Sequence, residues 1–353
     1  MTCSGRYVES GKRIGTVWAI LLVKAFVAVL AALLFTGTVS AQSTFGTIVG
    51  TVKDAAANVL PHAEVLLSNR GTSASRTAVA DPTGNYSFNN LEPGSYQLLV
   101  EAPGFEKAQI ATLDLQARET KRVDVQLKVS TQTESIDVVE SGGAVIETDV
   151  SNIAETKTGR ELVDLPVAIT SHSAGSTSPI TTLTTQPGVQ TDAAGNISVS
   201  GTKPSLLSIS VDGISTMAIN GSSPINELFP AFSSIAEIRV SEVNNSAEYG
   251  GITDITTVSK GGSNAYHGGL FENHENAALN AGNPFAKSKP ALVMNDFGGF
   301  FGGPLSIPHL YNGHNKTFFF VSYEGLRLPR QVPVVESVPT DDMRNGNLCG
   351  YLA

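Results

Sequence analysis

The 353-residue sequence has little of what marks an enzyme or a disulfide scaffold. Its two cysteines, Cys3 and Cys349, stand at opposite ends, so no disulfide framework is available and cysteine usage leaves the redox compartment open. Six histidines are scattered, none at ligand spacing from another histidine or a cysteine, which argues against a zinc centre. His274-Glu275 begins like a zincin motif, but Ala278 stands where the second histidine is required. No G-x-S-x-G elbow, Walker A loop or G-x-G-x-x-G fingerprint occurs. Basic residues are outnumbered, 23 against 32 acidic, for a formal net charge of -9. That balance excludes the basic footprint of a nucleic-acid binder. No catalytic, metal or cofactor site is expected, and the chain reads as a non-enzyme.

Long hydrophobic runs are also scarce. The principal one spans residues 17–35, after Arg6, Lys12 and Arg13, and is followed by the small residues Val39-Ser40-Ala41. A basic start, an apolar stretch and a small-residue end form a Sec-type signal peptide over residues 1–41, with cleavage expected between Ala41 and Gln42. Lys24 interrupts the run, and charge within a spanning helix is costly, which disfavours the alternative of a retained anchor.

What the sequence has is glycine, 34 residues of it, distributed among short β-prone runs. Residues 46–53 and 123–129 alternate apolar and polar side chains, the period of strands with one face on a core. Between them stand the turn signals Asp81-Pro82-Thr83-Gly84-Asn85, Glu92-Pro93-Gly94-Ser95 and Ala102-Pro103-Gly104, a spacing that predicts a sandwich of about seven strands. Tyr86, Phe88, Tyr96 and Phe105 are expected in its core. Asp81 is expected to start a turn and His62 to sit in a loop. These residues, with Leu60-Pro61-His62-Ala63-Glu64-Val65 and Pro103-Gly104-Phe105, resemble the carboxypeptidase regulatory-like domain. The resemblance implies a prealbumin-like sandwich over 45–129, classed with carbohydrate-binding-like folds and lacking catalytic residues. A glycan or peptide ligand there would follow from fold analogy alone.

Residues 200–269 carry the densest set of motifs. They include Val211-Asp212-Gly213-Ile214, Ile235-Ala236-Glu237-Ile238-Arg239-Val240, Ser246-Ala247-Glu248-Tyr249-Gly250-Gly251 and Ser259-Lys260-Gly261-Gly262-Ser263-Asn264. In this order they resemble the plug of TonB-dependent outer-membrane receptors of the Oar-like subgroup. The resemblance implies a small mixed α/β plug over 146–262, with Arg160-Glu161-Leu162-Val163-Asp164-Leu165-Pro166 at its helical start. Asp212 is read as a turn or plug-packing residue ahead of a catalytic one, and Lys203 and Arg239 as structural polar groups ahead of residues lining a substrate path. It further implies that a short extended segment in the 130–145 linker pairs by strand addition with a TonB-like periplasmic energy-coupling protein. The candidate residues are Ser135, Ile136, Asp137, Val138 and Val139, whose β-branched character suits an added strand.

Phe297-Gly298-Gly299-Phe300-Phe301-Gly302-Gly303-Pro304 and Lys316-Thr317-Phe318-Phe319-Phe320-Val321-Ser322-Tyr323-Glu324-Gly325 resemble the first barrel strands of the same family. Residues 263–353 are therefore expected to begin an Oar-like transmembrane β-barrel in contact with outer-membrane lipid. Only a few strands fit there, and a lipid-embedded barrel must close, so the sequence as given reads as truncated and not transport-competent. The expected fold class is mainly β: sandwich, plug, then the first strands of an incomplete barrel. The expected function is the N-terminal portion of an outer-membrane receptor or transporter. The alternative is a secreted or cell-surface binding sandwich without transport activity.

Overall fold

The computed structural model describes residues 44–130, 136–138, 151–164, 171–172, 176–177, 180–191, 196–218, 225, 228–245, 251–279, 292–329 and 339–346. The expected signal peptide and its Ala41–Gln42 junction lie outside these residues.

Residues 46–138 build two facing sheets. In chain order the strands are β1 Gly46–Asp54, β2 Glu64–Asn69, β3 Ser75–Val79, β4 Asn85–Leu91, β5 Gly94–Glu101, β6 Lys107–Leu115, β7 Thr120–Arg122, β8 Val125–Leu127 and β9 Ile136–Val138. One sheet has the order β4-β1-β7, with β8 also on β1, and the other runs β3-β2-β5-β6-β9. The strands β7 and β8 lie in succession along one side of β1, both parallel to it, so they act as one strand broken at Val123-Asp124. At the break the Asp124 carboxylate accepts the Thr51 amide at 2.9 Å. A side chain thereby satisfies a donor that an unbroken ladder would have used.

Strict alternation fills the space between the sheets. Tyr96, Leu98 and Val100 of β5 point inward with Ile48, Val52, Val65, Leu67 and Leu127, each contributing about 1.5–3 kcal/mol by leaving water. The expected aromatics Tyr86 and Phe88 are in this core, edge to face at 6.0 Å, and Phe105 is half-buried against it. Asp81 does start its turn, accepting the amides of Thr83 and Asn85 at 2.8 and 2.9 Å. His62 sits in an exposed turn with φ of 61°.

The second core belongs to a mixed sheet. The strands are β10 Ile153–Thr158, β11 Ser171–His172, β12 Ser176–Thr177, β13 Val189–Thr191, β14 Ile197–Val199, β15 Leu207–Val211, β16 Ile214–Ser215, β17 Ile235–Val243 and β18 Thr253–Ser259. Five of them form one sheet, β10-β17-β18-β15-β16, in which β15 and β18 are parallel and the other pairs antiparallel. The pairs β11–β12 and β13–β14 are separate two-stranded antiparallel sheets, and Val189, Ile197 and Val199 of the second pair join the second core. A helix at Gly159–Asp164 follows β10, near the expected 160–166. Its start is a capping box, Glu161 accepting from the Thr158 amide at 2.7 Å while Thr158 Oγ1 accepts from the Glu161 amide at 3.4 Å. Gly159 is required there, because a Cβ would overlap the Ile235 carbonyl oxygen.

Beyond the mixed sheet, β19 His267–Asn276, β20 Val293–Pro304 and β21 Phe318–Arg327 make an antiparallel meander of long strands. Among the described residues the meander does not close. The fold class expected from the sequence, mainly β with a sandwich, a mixed plug-like unit and a partial barrel, is what the chain adopts.

Candidate partner-binding strand and domain junction

Of the five candidate partner-binding residues, Ile136, Asp137 and Val138 form β9, whereas Ser135 and Val139 lie outside the described residues. The strand pairs in parallel with the start of β6, in the register Lys107–Ile136, Ala108–Asp137 and Gln109–Val138. It is the terminal strand of its sheet. Among the described residues only the β6 side of its backbone is paired, and a strand paired on one side can accept a further strand on the other.

The far end of β6 leads somewhere the sequence did not announce. The turn 116–119, between β6 and β7, enters the mixed sheet. Gln116 Oε1 accepts from Thr156 Oγ1 at 2.6 Å and from Arg239 Nη1 at 2.8 Å. The Ala117 amide donates to Glu237 Oε1 at 2.5 Å. Arg118, with φ of 57°, pairs through Nη1 with Asp254 Oδ2, and the two side chains are 2% and 1% exposed. Thr256 Oγ1 donates to the same carboxylate oxygen at 2.6 Å.

Cross-strand register explains why this turn meets polar groups. Thr156, Arg239, Thr256 and Ser210 form one row across β10, β17, β18 and β15, and Ser241, Asp254 and Ser208 the next. Period two places the apolar Ile209, Ile238, Val240 and Ile255 on the opposite face, in the second core. Arg239, read from the sequence as a structural polar residue of the plug, is indeed buried in that polar row at 3% exposure. Burial of Glu237 raises its carboxyl above the usual range, partly offset by the Ala117 amide and by Arg239. Asp212 holds the β15–β16 turn to the end of β18, accepting from the amide and hydroxyl of Ser259 at 2.8 and 2.7 Å. Lys203 is exposed before a short helical turn.

The meander has two unlike faces. Leu270, Phe301, Val321 and Tyr323 are 93%, 50%, 63% and 66% exposed and share one face, through the register Gly268–Phe301–Val321 and Leu270–Gly299–Tyr323. Tyr266 stacks on Phe301 at 6.0 Å. The other face turns Phe300 toward the mixed sheet, where Lys260 stands 4.9 Å from the ring centroid and donates to the Ser233 carbonyl at 2.8 Å. Apolar groups this exposed call for an apolar surrounding. Among the described residues no His, Cys, Asp and Glu cluster could hold a metal ion.

Sequence reasoning missed Gln116, Arg118 and Asp254. Arg118 lies in a polar stretch that reads as an ordinary turn, and no local pattern links it to an aspartate 136 positions away. The signal that was available is the alternation in β17 and β18, where polar residues fill a face of strands too regular to be solvated loops.

Three comparisons bear on these features. Residues 47–128 match the carboxypeptidase regulatory-like domain, and residues 258–352 match an outer membrane beta barrel domain. The TonB-dependent transporter Oar of Myxococcus xanthus is 28% identical over 316 residues, which are 84% of this chain and 28% of that protein. The chain thus spans about a quarter of its relative's length. Among solved structures, wild-type Acinetobacter radioresistens catechol 1,2 dioxygenase is 16% identical over 28% of this chain and 56% of its own, with a TM-score of 0.22. The pilus 2b backbone protein of group B streptococcus is 14% identical over 25% of this chain and 42% of its own, at 0.21. At these TM-scores neither likeness carries an argument.

Proposed function

We propose, from the premise that this chain is a relative of the Oar-like TonB-dependent receptors with a carboxypeptidase regulatory-like domain ahead of its plug, that it forms the entry portion of an outer-membrane uptake system. In this reading the sandwich stands in the periplasm, the mixed sheet is the plug, and the meander is the first part of the surrounding wall. The chain is exported by its N-terminal signal, carries out no catalysis, and serves uptake of a bulky or scarce solute. The observation that carries the reading is the pair of faces on the meander. An exposed apolar face with stacked aromatics suits lipid, and the opposite face is tied through Lys260 and Phe300 to the plug.

Energy enters at residues Ser135 to Val139. Among the described residues no strand pairs with the side of β9 away from β6, and in this reading a TonB-like partner adds its own strand there without displacing β6. Val138→Pro removes a donor and fixes φ. The test is calorimetry of the partner's C-terminal domain with wild-type and Val138→Pro forms of the chain. The substitution is expected to weaken binding by about tenfold or more, a loss of one ladder bond and of strand geometry. Equal affinities would remove β9 as the contact.

A further inference from the structure

We propose that the turn 116–119 is a releasable clamp by which the sandwich holds the plug sheet, with Arg118 as its positioning residue. The proposal rests on the plug reading above but does not depend on which strand the partner binds.

Three observations carry it. First, the hydrophobic groups of the sandwich and of the mixed sheet form two separate clusters, and neither extends across the junction. The turn meets the sheet through polar contacts, among them Gln116 with Thr156 and Arg239, the Ala117 amide with Glu237, and Arg118 with Asp254 and Ser210. An interface of this kind separates without exposing a large apolar surface. Second, the ion pair at its centre is almost wholly buried. A buried pair adds little stability over an apolar replacement, yet losing one partner leaves an uncompensated charge. That asymmetry suits a contact that is firm when docked and specific in its release. Third, Arg118 holds a left-handed backbone conformation, which costs an L-residue about 1–2 kcal/mol per residue. Its docked partners offset that cost.

The docked turn also covers groups that want a partner. Asp254 Oδ1 and Arg239 Nε are buried without a hydrogen-bond partner. Covering leaves these two groups without partners, a cost that water would relieve, so the docked state rests on the turn's own polar contacts and is poised for release. Lifting the turn admits water to that face and loosens β17 and β18, which is the first step a plug needs in order to open a path.

The experiment is hydrogen exchange by mass spectrometry on the full chain in outer-membrane vesicles. Arg118→Met keeps the stem and removes the charge. Amides of β17 and β18 are expected to exchange about tenfold faster or more, while those of β5 in the sandwich core keep wild-type protection. Arg118→Met combined with Asp254→Leu replaces the pair by apolar groups and is expected to recover most of the protection. Unchanged exchange in β17 and β18 overturns the proposal, as does an equal rise in β5, which would make Arg118 a general stability residue. Should Arg118→Met fail to fold, Gln116→Ala reports instead, with a rise confined to β10 and β17 expected and no change refuting the clamp.

Discussion

Gly50 is the position where the sandwich has the least room. A Cβ built there would overlap the Val123 carbonyl oxygen and come within 2.7 Å of Tyr86 Oη. These two groups are bonded to each other, Tyr86 Oη donating to Val123 O at 2.6 Å inside the core. Gly50→Ala therefore acts twice. It forces β1 away from the β7–β8 strand, an overpacking strain of about 1–3 kcal/mol. It also parts the tyrosine hydroxyl from its buried acceptor, which costs about 1–3 kcal/mol more. The sum, about 2–6 kcal/mol, is a large share of the stability of a small domain. For residues 42–130 it corresponds to a melting point lower by about 10 °C or more. Gly104→Ala is the control. Nothing lies within 4 Å of its Cβ, but its φ is 85°, so only the backbone penalty of about 1–2 kcal/mol applies. The lone tryptophan, Trp18, precedes this segment, so thermal unfolding is followed by far-ultraviolet circular dichroism. If Gly50→Ala melts no lower than Gly104→Ala, the close approach of β1 to Val123 is wrong.

Two further expectations concern the junction and the leader. Burial raises the Glu237 carboxyl above its ordinary 4.5, so the folded state binds its proton more tightly than the unfolded state. Stability from this group is complete below pH 4.5 and is lost as pH rises through the raised value; Glu237→Gln is expected to flatten that part of the pH–stability curve, and an unaltered slope in denaturant titrations would count against it. Export is expected to remove residues 1–41, so mass spectrometry of the chain recovered from the membrane fraction reads Gln42 first, and a chain still beginning at Met1 contradicts the leader assignment.

The sandwich was legible because its rules are local. Alternation in residues 46–53 and 123–129 and the Asp81 and Glu92-Pro93-Gly94 turns place strands without knowledge of their partners. Even there the break at Val123-Asp124 was not visible, since it depends on the Asp124 side chain reaching Thr51 across the sheet. The aromatic strands were legible through resemblance more than through period, because Gly298-Gly299 and Gly302-Gly303 interrupt any simple alternation. Of the candidate partner-binding segment, the extended conformation of 136–138 was legible in the β-branched Ile136 and Val138. Its parallel register on β6 follows from tertiary pairing and was not. The clamp was invisible for the same reason: Arg118 and Asp254 are ordinary residues until the fold brings them together.

The side of β9 away from β6 carries a hazard as well as an opportunity. Unpaired backbone groups invite any extended chain, and a sandwich that offered long bare margins would assemble with its own copies into insoluble ladders. Three of the sandwich's four margins are short, and the fourth, the seven-residue β4, turns the polar Asn85, Ser87, Asn89 and Asn90 to solvent. β9 has three residues, β7 and β8 have three each and are split by Asp124, and β3 has five, with Ser75, Arg76 and Thr77 exposed. A margin three residues long gives a sequence-blind neighbour too few bonds to repay its ordering, which costs about 1–2 kcal/mol per residue in backbone freedom. A dedicated binder arrives with its strand already shaped and keeps what an aggregate would lose. Brevity thus separates the wanted pairing from the unwanted one, and lengthening β9 would gain affinity at the expense of solubility.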